Sequence, residues 1–533
     1  MPVVAPGRRE GFAVLALLTL LALVARAQTF GNPVLGFDEQ FYLLVGDRML
    51  QGAVPYVDIF DRKPIGLFLI YAGVRWLGGS GFLQYKLAAT CVVIATAWCV
   101  FRLARLRADA FGAAAAASAY VLWLDFMEGE GGQSPVFYDL LLVLAAAAVV
   151  HAARRGAGTR WRGAAAMAAV GLAMQVKYSV AFEGVYLGCV LLWLALRDRE
   201  PPGQIVASAV LWVGCAALPT AAAFAWFAMH GDAREFLFCN FASVLGQIRR
   251  PLPAEMTGLA VLIGILAPPL AGVATARPWR KNDAATSVAL GWLLAAVIAV
   301  VVYGRFDSPH YGIPILLPAT ILLAPALDGS RRRRTAVLAA LGLAWVSGQT
   351  VLTLSERAKG GRTAATEVAA AAMPGSAPGC IYVYDGYPAL YMLTGSCLPT
   401  RWPFPGHLAT RDEASAAAIG VDPVAEVQRI LATRPTAIID DRPRFAFGNP
   451  ATRRVLERAL ARDYHLAACI RTGPTRLRLV YRLGARAMSA APACPVAPTH
   501  PDGRAAAGAT SGDQVPADNR STSVAGFSTR SDA

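Results

Sequence analysis

Residues 8–42 read RREGFAVLALLTLLALVARAQTFGNPVLGFDEQFY. Two arginines precede an apolar run from Phe12 to Ala25, which together with its flanks approaches the thickness of a bilayer. Further apolar runs follow this one along the chain. We therefore expect an uncleaved first membrane helix rather than a signal peptide.

Apolar runs of similar length recur along the chain and predict about eleven membrane-spanning helices. The predicted spans are 11–28, 83–106, 109–124, 136–153, 163–178, 180–197, 204–229, 256–276, 284–303, 309–327 and 335–354. The chain is 56% hydrophobic and 16% charged, whereas soluble proteins carry roughly a quarter charged residues. The sequence thus predicts an all-α polytopic membrane bundle.

Basic residues concentrate in every second loop of this partition. With the N-terminus in the cytoplasm, the inner loops hold Arg102, Arg105, Arg107, Arg154, Arg155, Arg160, Arg162, Arg197, Arg199, Arg277, Arg280, Lys281 and Arg331 to Arg334. The outer loops hold most of the acids, namely Asp38, Glu39, Asp47, Asp58, Asp61, Asp125, Glu128 and Glu130. The net charge of +15 is therefore an orientation signal and does not indicate nucleic-acid binding.

Two outer regions are more than connectors. In 29–82, the stretch 39–52 has helical periodicity and predicts an amphipathic helix on the membrane surface, while the apolar run 65–77 is too short to span. Residues 1–355 form the predicted transmembrane domain, whose outer loops 29–82 and 125–135 carry the candidate chemistry.

Beyond the last span, residues 356–485 have a globular composition. CIYVY, PTAIIDD and LRLVYRL predict strands, and 422–433 and 450–463 predict helices, so we expect a small α/β domain outside the membrane. Residues 486–533 have almost no large apolar side chains and should be disordered.

The nine cysteines contain no CxxC pair, which argues against a structural zinc site or a thiol redox centre. Cys380 and Cys397 flank YVYDGYPALY in the predicted outer domain. A disulfide between them is a hypothesis that an oxidising compartment would permit.

The first outer loop carries two charged motifs. In GFDEQFY, Asp38 and Glu39 are either first-turn acids, with Asp38 as helix cap, or a general base and a metal-binding acid. In GAVPYVDIFDRKPIG, Lys63 precedes a proline and is held extended. Its cation suits a phosphate, or lipid headgroups without specificity.

Later outer loops add further polar groups. DFMEGEGGQSP contains Glu128 and Glu130, and GRFDSPHYGIP offers Arg305, His310 and Tyr311, of which the histidine could also be structural. Lys177 in AMQVKYSVAF either faces a cavity or reaches the outer interface by snorkelling. Together these loops predict a site at the membrane–water boundary for a substrate with an anionic headgroup and a lipid tail.

The order of these motifs resembles the C-type glycosyltransferases, in particular the bacterial branch related to protein O-mannosyltransferases and the lipid A aminoarabinose transferase. The resemblance rests on DE-x-x-Y (Asp38, Glu39, Tyr42), on G-x-x-x-Y-x-D-x-x-D-x-K-P (residues 52–64), on the acidic second loop and on the HY loop. It covers about residues 10–485, including YVYDGYPALYMLTG followed by PTRW.

This resemblance implies a hexosyl- or pentosyltransferase of the bacterial inner membrane. Such an enzyme moves a sugar from a polyprenyl phosphate to a lipid, glycan or protein acceptor on the periplasmic side, with inversion. It implies that Asp38 is the first-loop acid, with Glu39 as its neighbour, that Lys63 contacts the donor phosphate, and that Glu128 or Glu130 is the second-loop acid. Ile65 stands where the family often has a second proline, and whether a divalent metal takes part stays open.

Other residues could assist this chemistry. Arg62 and Arg305 could neutralise the leaving phosphate alongside Lys63. The remaining site candidates are Tyr42, Asp58, Asp61, His310 and Tyr311. Alternative functions are a flippase or transporter for lipid-linked glycans, an oligosaccharide ligase or polymerase, and a non-catalytic scaffold.

Overall fold

The computed structural model describes residues 7–155, 158–281, 283–373, 379–484 and Cys494. The predicted disordered tail, 486–533, lies outside these residues apart from Cys494. The helices of the N-terminal region are α1 Arg8–Arg26, α2 Phe37–Met49, α3 Ile65–Trp76, α4 Phe82–Ala104, α5 Ala110–Trp123, α6 Ser134–Arg155, α7 Thr159–Met174, α8 Ala181–Arg197, α9 Pro202–Met229, α10 Ala233–Leu237, α11 Ser243–Leu245, α12 Leu252–Ala276, α13 Ala284–Tyr303, α14 Ile313–Leu327 and α15 Arg331–Lys359.

Nine helical stretches in the described ranges are long and apolar enough to cross a membrane. All eleven predicted spans form helices, but α5 and α7 have only 14 and 16 residues. At 1.5 Å per residue they are about 21 and 24 Å long, shorter than the roughly 30 Å hydrocarbon core. Nine of the eleven predicted spans thus have the length of a full crossing, and α5 and α7 fall short of it.

Both short helices nevertheless connect the two ends of the bundle. At the start of α5, Asp109 pairs with Arg334 of a predicted inner loop at 2.6 Å. Just beyond its end, Asp125 accepts a hydrogen bond from Gln349, deep in α15, at 3.3 Å. The start of α7 lies against α9, and after its end the Gln175 carbonyl accepts from the Leu67 amide at 3.1 Å.

The loops between the helices separate into the two predicted groups. Predicted outer residues contact one another, as Arg250 does with Asp307 at 3.3 Å. Predicted inner residues do the same at the other end, where Arg107 donates to Thr286 at 2.8 Å. Which end faces the cytoplasm stays a prediction from charge.

The C-terminal domain is a four-stranded sheet packed with short helices. Its elements are α16 Gly361–Ala372, β1 Ile381–Val383, α17 Leu390–Leu393, α18 Pro405–Ala409, α19 Ala416–Ile419, α20 Pro423–Ala432, β2 Ala437–Arg442, α21 Pro450–Asp463, β3 Tyr464–Arg471 and β4 Leu477–Leu483. The sheet order is β1-β2-β4-β3, with β1 and β2 parallel and the other neighbours antiparallel. This confirms the expected α/β domain and its three predicted strands.

Two features of this domain extend the expectations from sequence. Strand β3 was not predicted, because its small Ala467 and Ala468 give a weak strand pattern and it follows α21 without a turn signal. The expected disulfide between Cys380 and Cys397 is present, and a second one joins Cys469 to Cys494.

Helix α2 forms in the first outer loop as predicted, but it is enclosed on both faces. Its residues from Glu39 to Gly46 are all buried. Helix α3 covers one side, where Gly46 approaches the backbone of Tyr71 so closely that a Cβ would lie 2.7 Å from its carbonyl carbon. The C-terminal domain covers the other, with the Phe41 and Phe404 ring centroids 5.1 Å apart. The prediction that this helix lies half exposed on the membrane surface is therefore wrong for α2.

Candidate functional site

The start of α2 directs its two acids to opposite sides. Gly36, at φ +81°, is the residue before the helix, so Asp38 is a first-turn acid and not the predicted cap. A Cβ on Gly36 would lie 2.4 Å from the Glu39 carboxylate, so only glycine fits here. Successive helical residues are rotated by about 100°. Asp38 is consequently half-buried, whereas Glu39 is completely buried.

Among the described residues, two long hydrogen bonds hold the Asp38 carboxylate. The Tyr42 hydroxyl, one helical turn on, donates to Asp38 Oδ2 at 3.4 Å, and Gln133 Nε2 donates to the same oxygen at 3.4 Å. Hydrogen bonds of this length are weak. The carboxylate is thus oriented by two side chains that both donate to the same oxygen.

The turn before α3 positions Lys63. Asp61 is buried and accepts hydrogen bonds from the backbone amides of Arg62 and Lys63, the latter at 3.2 Å. Burial raises the pKa of Asp61, and the nearby Lys63 opposes that shift. The Tyr56 hydroxyl donates to the Lys63 carbonyl at 2.7 Å. Both backbone polar groups of Lys63 are therefore fixed, and its ammonium lies 5.8 Å from the centre of the Tyr42 ring.

Lys177 joins this site from the connection after α7. Its ammonium lies over two aromatic rings, 4.6 Å from the centre of Tyr311 and 5.0 Å from that of Tyr303. Burial and the positive charge of Lys63 lower the pKa of Lys177 to about 7, against the opposing effect of Asp38. Lys177 is therefore buried beside Tyr303 and Tyr311, where its charge is costly.

Arg305 completes a group that we call the cation cluster: Lys63, Lys177 and Arg305. Arg305 lies within electrostatic reach of Tyr303 and Tyr311, the two rings below Lys177. Within the described part of the chain, none of these three side chains forms an ion pair. The carboxylates of Asp38 and Asp307 attract Lys177, and those of Asp307 and Asp412 attract Arg305, without forming an ion pair. A group of partly desolvated cations of this kind favours an anionic ligand.

Arg62, predicted as a phosphate contact, has a different position. Its Nε donates to Ser243 Oγ at 2.6 Å, its Nη1 to Glu413 at 2.8 Å, and its Nη2 to the Ala418 carbonyl at 2.7 Å. Glu413 and Ala418 belong to the C-terminal domain, so Arg62 joins the first loop to that domain. Its donors are already satisfied by protein groups, so its position does not favour the predicted phosphate contact.

The remaining predicted residues lie at the margin of the site. Glu128 Oε2 is 3.0 Å from His310 Nδ1, and the His310 and Tyr311 ring centroids are 4.3 Å apart. This pair therefore reaches the cluster through Tyr311. Asp58 is exposed, and its carboxylate accepts from the Val54 amide at 2.7 Å, which closes a turn.

Glu39 and Glu130 belong to a second set of charges, the buried network, which also includes Arg26 and Lys86. Arg26 donates to the carbonyls of Gly129, at 2.7 Å, and Gly131. Lys86 donates to the Asn32 carbonyl at 2.9 Å. Burial raises the pKa of Glu39 to about 7, although Lys86 counteracts this. The network fastens the second outer loop to the bundle, and its closed position does not favour a catalytic role for Glu39.

Metal ligands do not cluster among the residues described in the four main ranges. No group of three histidine, cysteine, aspartate or glutamate side chains there is placed to hold a metal ion. Asp38 has a tyrosine and a glutamine as neighbours, and Glu128 has a single histidine.

Sequence reasoning missed the part played by Tyr303. It stands at the end of α13, where an aromatic residue is expected at any membrane interface. The same reasoning singled out Lys177 without placing it beside Lys63. The usable signal was the cost of a lysine at that depth, which requires either an acid or a ligand.

No protein-family model and no curated protein matches this sequence. Solved structures do match. ArnT from Cupriavidus metallidurans bound to undecaprenyl phosphate superposes with a TM-score of 0.60 at 15% identity, over 88% of this chain and 97% of that chain. The Archaeoglobus fulgidus oligosaccharyltransferase in its apo form gives a TM-score of 0.50 at 12% identity, over 81% of this chain and 69% of that chain. The chain is accordingly a multi-pass membrane protein with the fold of the C-type glycosyltransferases.

Proposed function

We propose that this protein transfers a sugar from a polyprenyl-phosphate donor to an acceptor hydroxyl on the periplasmic side of the bacterial inner membrane. The observation that carries the proposal is the meeting of one weakly held carboxylate, Asp38, with an unpaired cation cluster at one end of the bundle. The undecaprenyl phosphate bound to ArnT, whose fold this chain shares, supports a lipid phosphate as the donor class.

In the proposed step, the acceptor oxygen attacks the anomeric carbon of the donor sugar. Asp38 removes the proton of that hydroxyl as the new carbon–oxygen bond forms. The bond between the anomeric carbon and the phosphate oxygen breaks, and the polyprenyl phosphate leaves with its electron pair. Attack opposite the leaving group inverts the anomeric configuration.

The cation cluster stabilises the leaving group. Lys63 and Lys177 are held in place before the substrate arrives, Lys63 by its fixed backbone and Lys177 by its two rings. Preorganised cations of this kind stabilise developing negative charge without further reorganisation. Arg305 approaches the same rings from the next outer loop.

The membrane side follows from the charge pattern. Basic residues crowd the inner loops, and the cluster, α2 and the C-terminal domain lie at the opposite end. The prenyl tail of the donor stays in the lipid, so a site at the end of the bundle receives the phosphate at headgroup level. The acceptor is then a lipid, glycan or protein outside the cytoplasm.

The test is a donor-consumption assay with purified protein in liposomes that contain radiolabelled polyprenyl-phosphate sugars. Lys63→Ala and Lys177→Ala should each lower donor consumption, while the control Arg458→Ala, on an exposed face of α21, should match the wild type. Membrane extract supplies the acceptor. Lack of turnover of every monosaccharide donor by the wild type would reject the proposal and favour a flippase or a ligase.

A further inference from the structure

A cavity whose wall includes none of the cation cluster lies where the first outer loop meets the C-terminal domain. We call it the seam pocket. Its volume is about 500 Å³, and its wall includes Arg48, Ala53, Asp58, Cys397 and Arg401. Ligand-binding cavities typically measure roughly 300–1,000 Å³. The seam pocket is therefore large enough for a sugar ring with a charged substituent.

Bonds across the seam give the pocket fixed walls. Arg48, in the last turn of α2, donates to the Ser396 carbonyl. Arg401 donates to the Tyr56 carbonyl, and its own carbonyl accepts from the Phe60 amide at 2.8 Å. The disulfide from Cys397 to Cys380 ties the same wall to the central sheet. The pocket is consequently preformed rather than an accident of loose packing.

The polar groups of the pocket favour an anion. Two guanidinium groups line it against one carboxylate, Asp58, which already accepts from the Val54 amide. Arg48 also donates to Gln51 at 2.6 Å, besides its bond to Ser396, and Arg401 donates to Tyr56. Each guanidinium group carries five N–H donors, so these bonds do not use all of them. Guanidinium groups bind carboxylates and phosphates with matched geometry.

Position links this pocket to the proposed reaction. Arg48 and Asp38 stand ten residues apart on α2, which at 1.5 Å per residue is about 15 Å along the helix. Asp58 and Lys63 lie on the same loop. An acceptor that reaches both places must be extended, such as a glycan or a glycolipid headgroup of several sugar rings.

We infer that the seam pocket binds a carboxylate or phosphate group of the acceptor and thereby selects an anionic glycan. This inference rests on the proposed transfer for its reference to an acceptor, but anion binding can be measured without any transfer. The donor phosphate occupies the cation cluster, so the two anions do not compete for one site.

The first experiment measures equilibrium binding of three radiolabelled probes to purified protein: a disaccharide containing glucuronic acid, glycerol phosphate and a neutral disaccharide. The wild type should bind at least one anionic probe and ignore the neutral one, and the two anionic arms distinguish a carboxylate from a phosphate. Arg48→Gln should weaken that binding about tenfold or more, as expected when a charge-assisted hydrogen bond is lost. Arg458→Ala should leave it unchanged, because Arg458 is exposed on α21 and is not part of the pocket wall.

A second variant guards against a folding defect, since Arg48 also bonds to the C-terminal domain. Ala53→Trp fills the pocket with a side chain while both guanidinium groups remain. It should abolish probe binding and raise the acceptor KM with kcat unchanged. Wild-type binding of the anionic probes by both variants, or equal wild-type affinity for the neutral probe, would overturn the inference. Failure of donor consumption in the wild type would instead refute the proposed transfer and leave the binding result to be judged by itself.

Discussion

The cation cluster and the buried network lie at the same end of the bundle and are built from the same loops. Their charged side chains nevertheless have different kinds of partner. The first loop contributes Asp38 to one and Glu39 to the other. The second loop contributes Glu128 beside the first and Glu130 to the second. In each loop, one acid of a closely spaced pair thus lies beside the cation cluster, which is the more open region. The other acid belongs to the buried network, which is closed.

The difference lies in how each region satisfies its cations. In the buried network, Arg26 and Lys86 donate to backbone carbonyls and lie near Glu39 and Glu130. In the cluster, Lys177 lies over the rings of Tyr303 and Tyr311, and Asp38 attracts it without forming an ion pair. Charge that the fold satisfies serves stability, whereas charge that the fold leaves unpaired is a functional-site signal. Paired substitutions across the two regions can test this division.

The largest effect is expected from the two acids of α2. Asp38→Asn removes the proposed base and should lower transfer by roughly 100- to 10,000-fold, the usual contribution of general base catalysis, with an unchanged Tm in detergent. Glu39→Leu leaves Lys86 and Arg26 without their carboxylate and should lower the Tm, while the folded fraction keeps its turnover. Donor consumption per folded molecule and thermal unfolding measure the two outcomes.

Glu367→Gln is the control, because Glu367 is an exposed acid on α16 and belongs to neither region. This variant should change neither donor consumption per folded molecule nor the Tm appreciably. If Asp38→Asn retained full transfer while Glu39→Leu abolished it per folded molecule, the roles of the two acids would be reversed.

The next largest effect is expected from two buried lysines. Lys177→Met removes a cation from the proposed phosphate site and should raise the donor Kd roughly 10- to 100-fold, with an equal or higher Tm because an unpaired buried charge is gone. Lys86→Met should lower the Tm, because the Asn32 carbonyl loses its hydrogen-bond donor and the buried Glu39 loses a neighbouring positive charge. Donor binding and thermal unfolding of the two variants are compared side by side.

The pH dependence of donor binding refines this comparison. Lys177 has a pKa lowered to about 7 by burial and by Lys63, so its protonated, phosphate-binding form is lost as the pH rises through that value. Donor affinity of the wild type should therefore fall between pH 6 and pH 8, by about tenfold per unit at most. Lys177→Arg stays charged and should give a flat profile. A flat wild-type profile would exclude Lys177 as a phosphate contact.

The sequence predicts much of this architecture because membranes impose simple rules. Apolar runs mark all eleven helices, and the distribution of arginines separates the two ends of the bundle. Lys63 is identifiable because a following proline restricts its backbone. The α/β domain is recognisable from its alternating strands.

What the sequence does not reveal is where each side chain points. Asp38 and Glu39 differ only by a rotation about α2, which depends on the packing of Gly36 against the Glu39 carboxylate. Arg62 resembles a phosphate ligand until Glu413, 351 residues later, is brought beside it. The direction of such side chains depends on contacts between distant segments, and local sequence patterns do not contain that information.

The smallest effect is expected from the two acids of the second outer loop. Glu128→Gln weakens the contact with His310 and should lower kcat/KM a few-fold, about the value of one hydrogen bond, since it acts through the neighbouring Tyr311 ring. Burial raises the pKa of Glu130, so the neutral Glu130→Gln amide resembles its protonated form and should change transfer little. Steady-state kinetics of both variants measure these two effects on transfer, and thermal unfolding checks that both variants are folded. Were Glu130→Gln to abolish transfer while Glu128→Gln left it intact, the reacting groups would belong to the buried network, and the division between an open and a closed region would no longer hold.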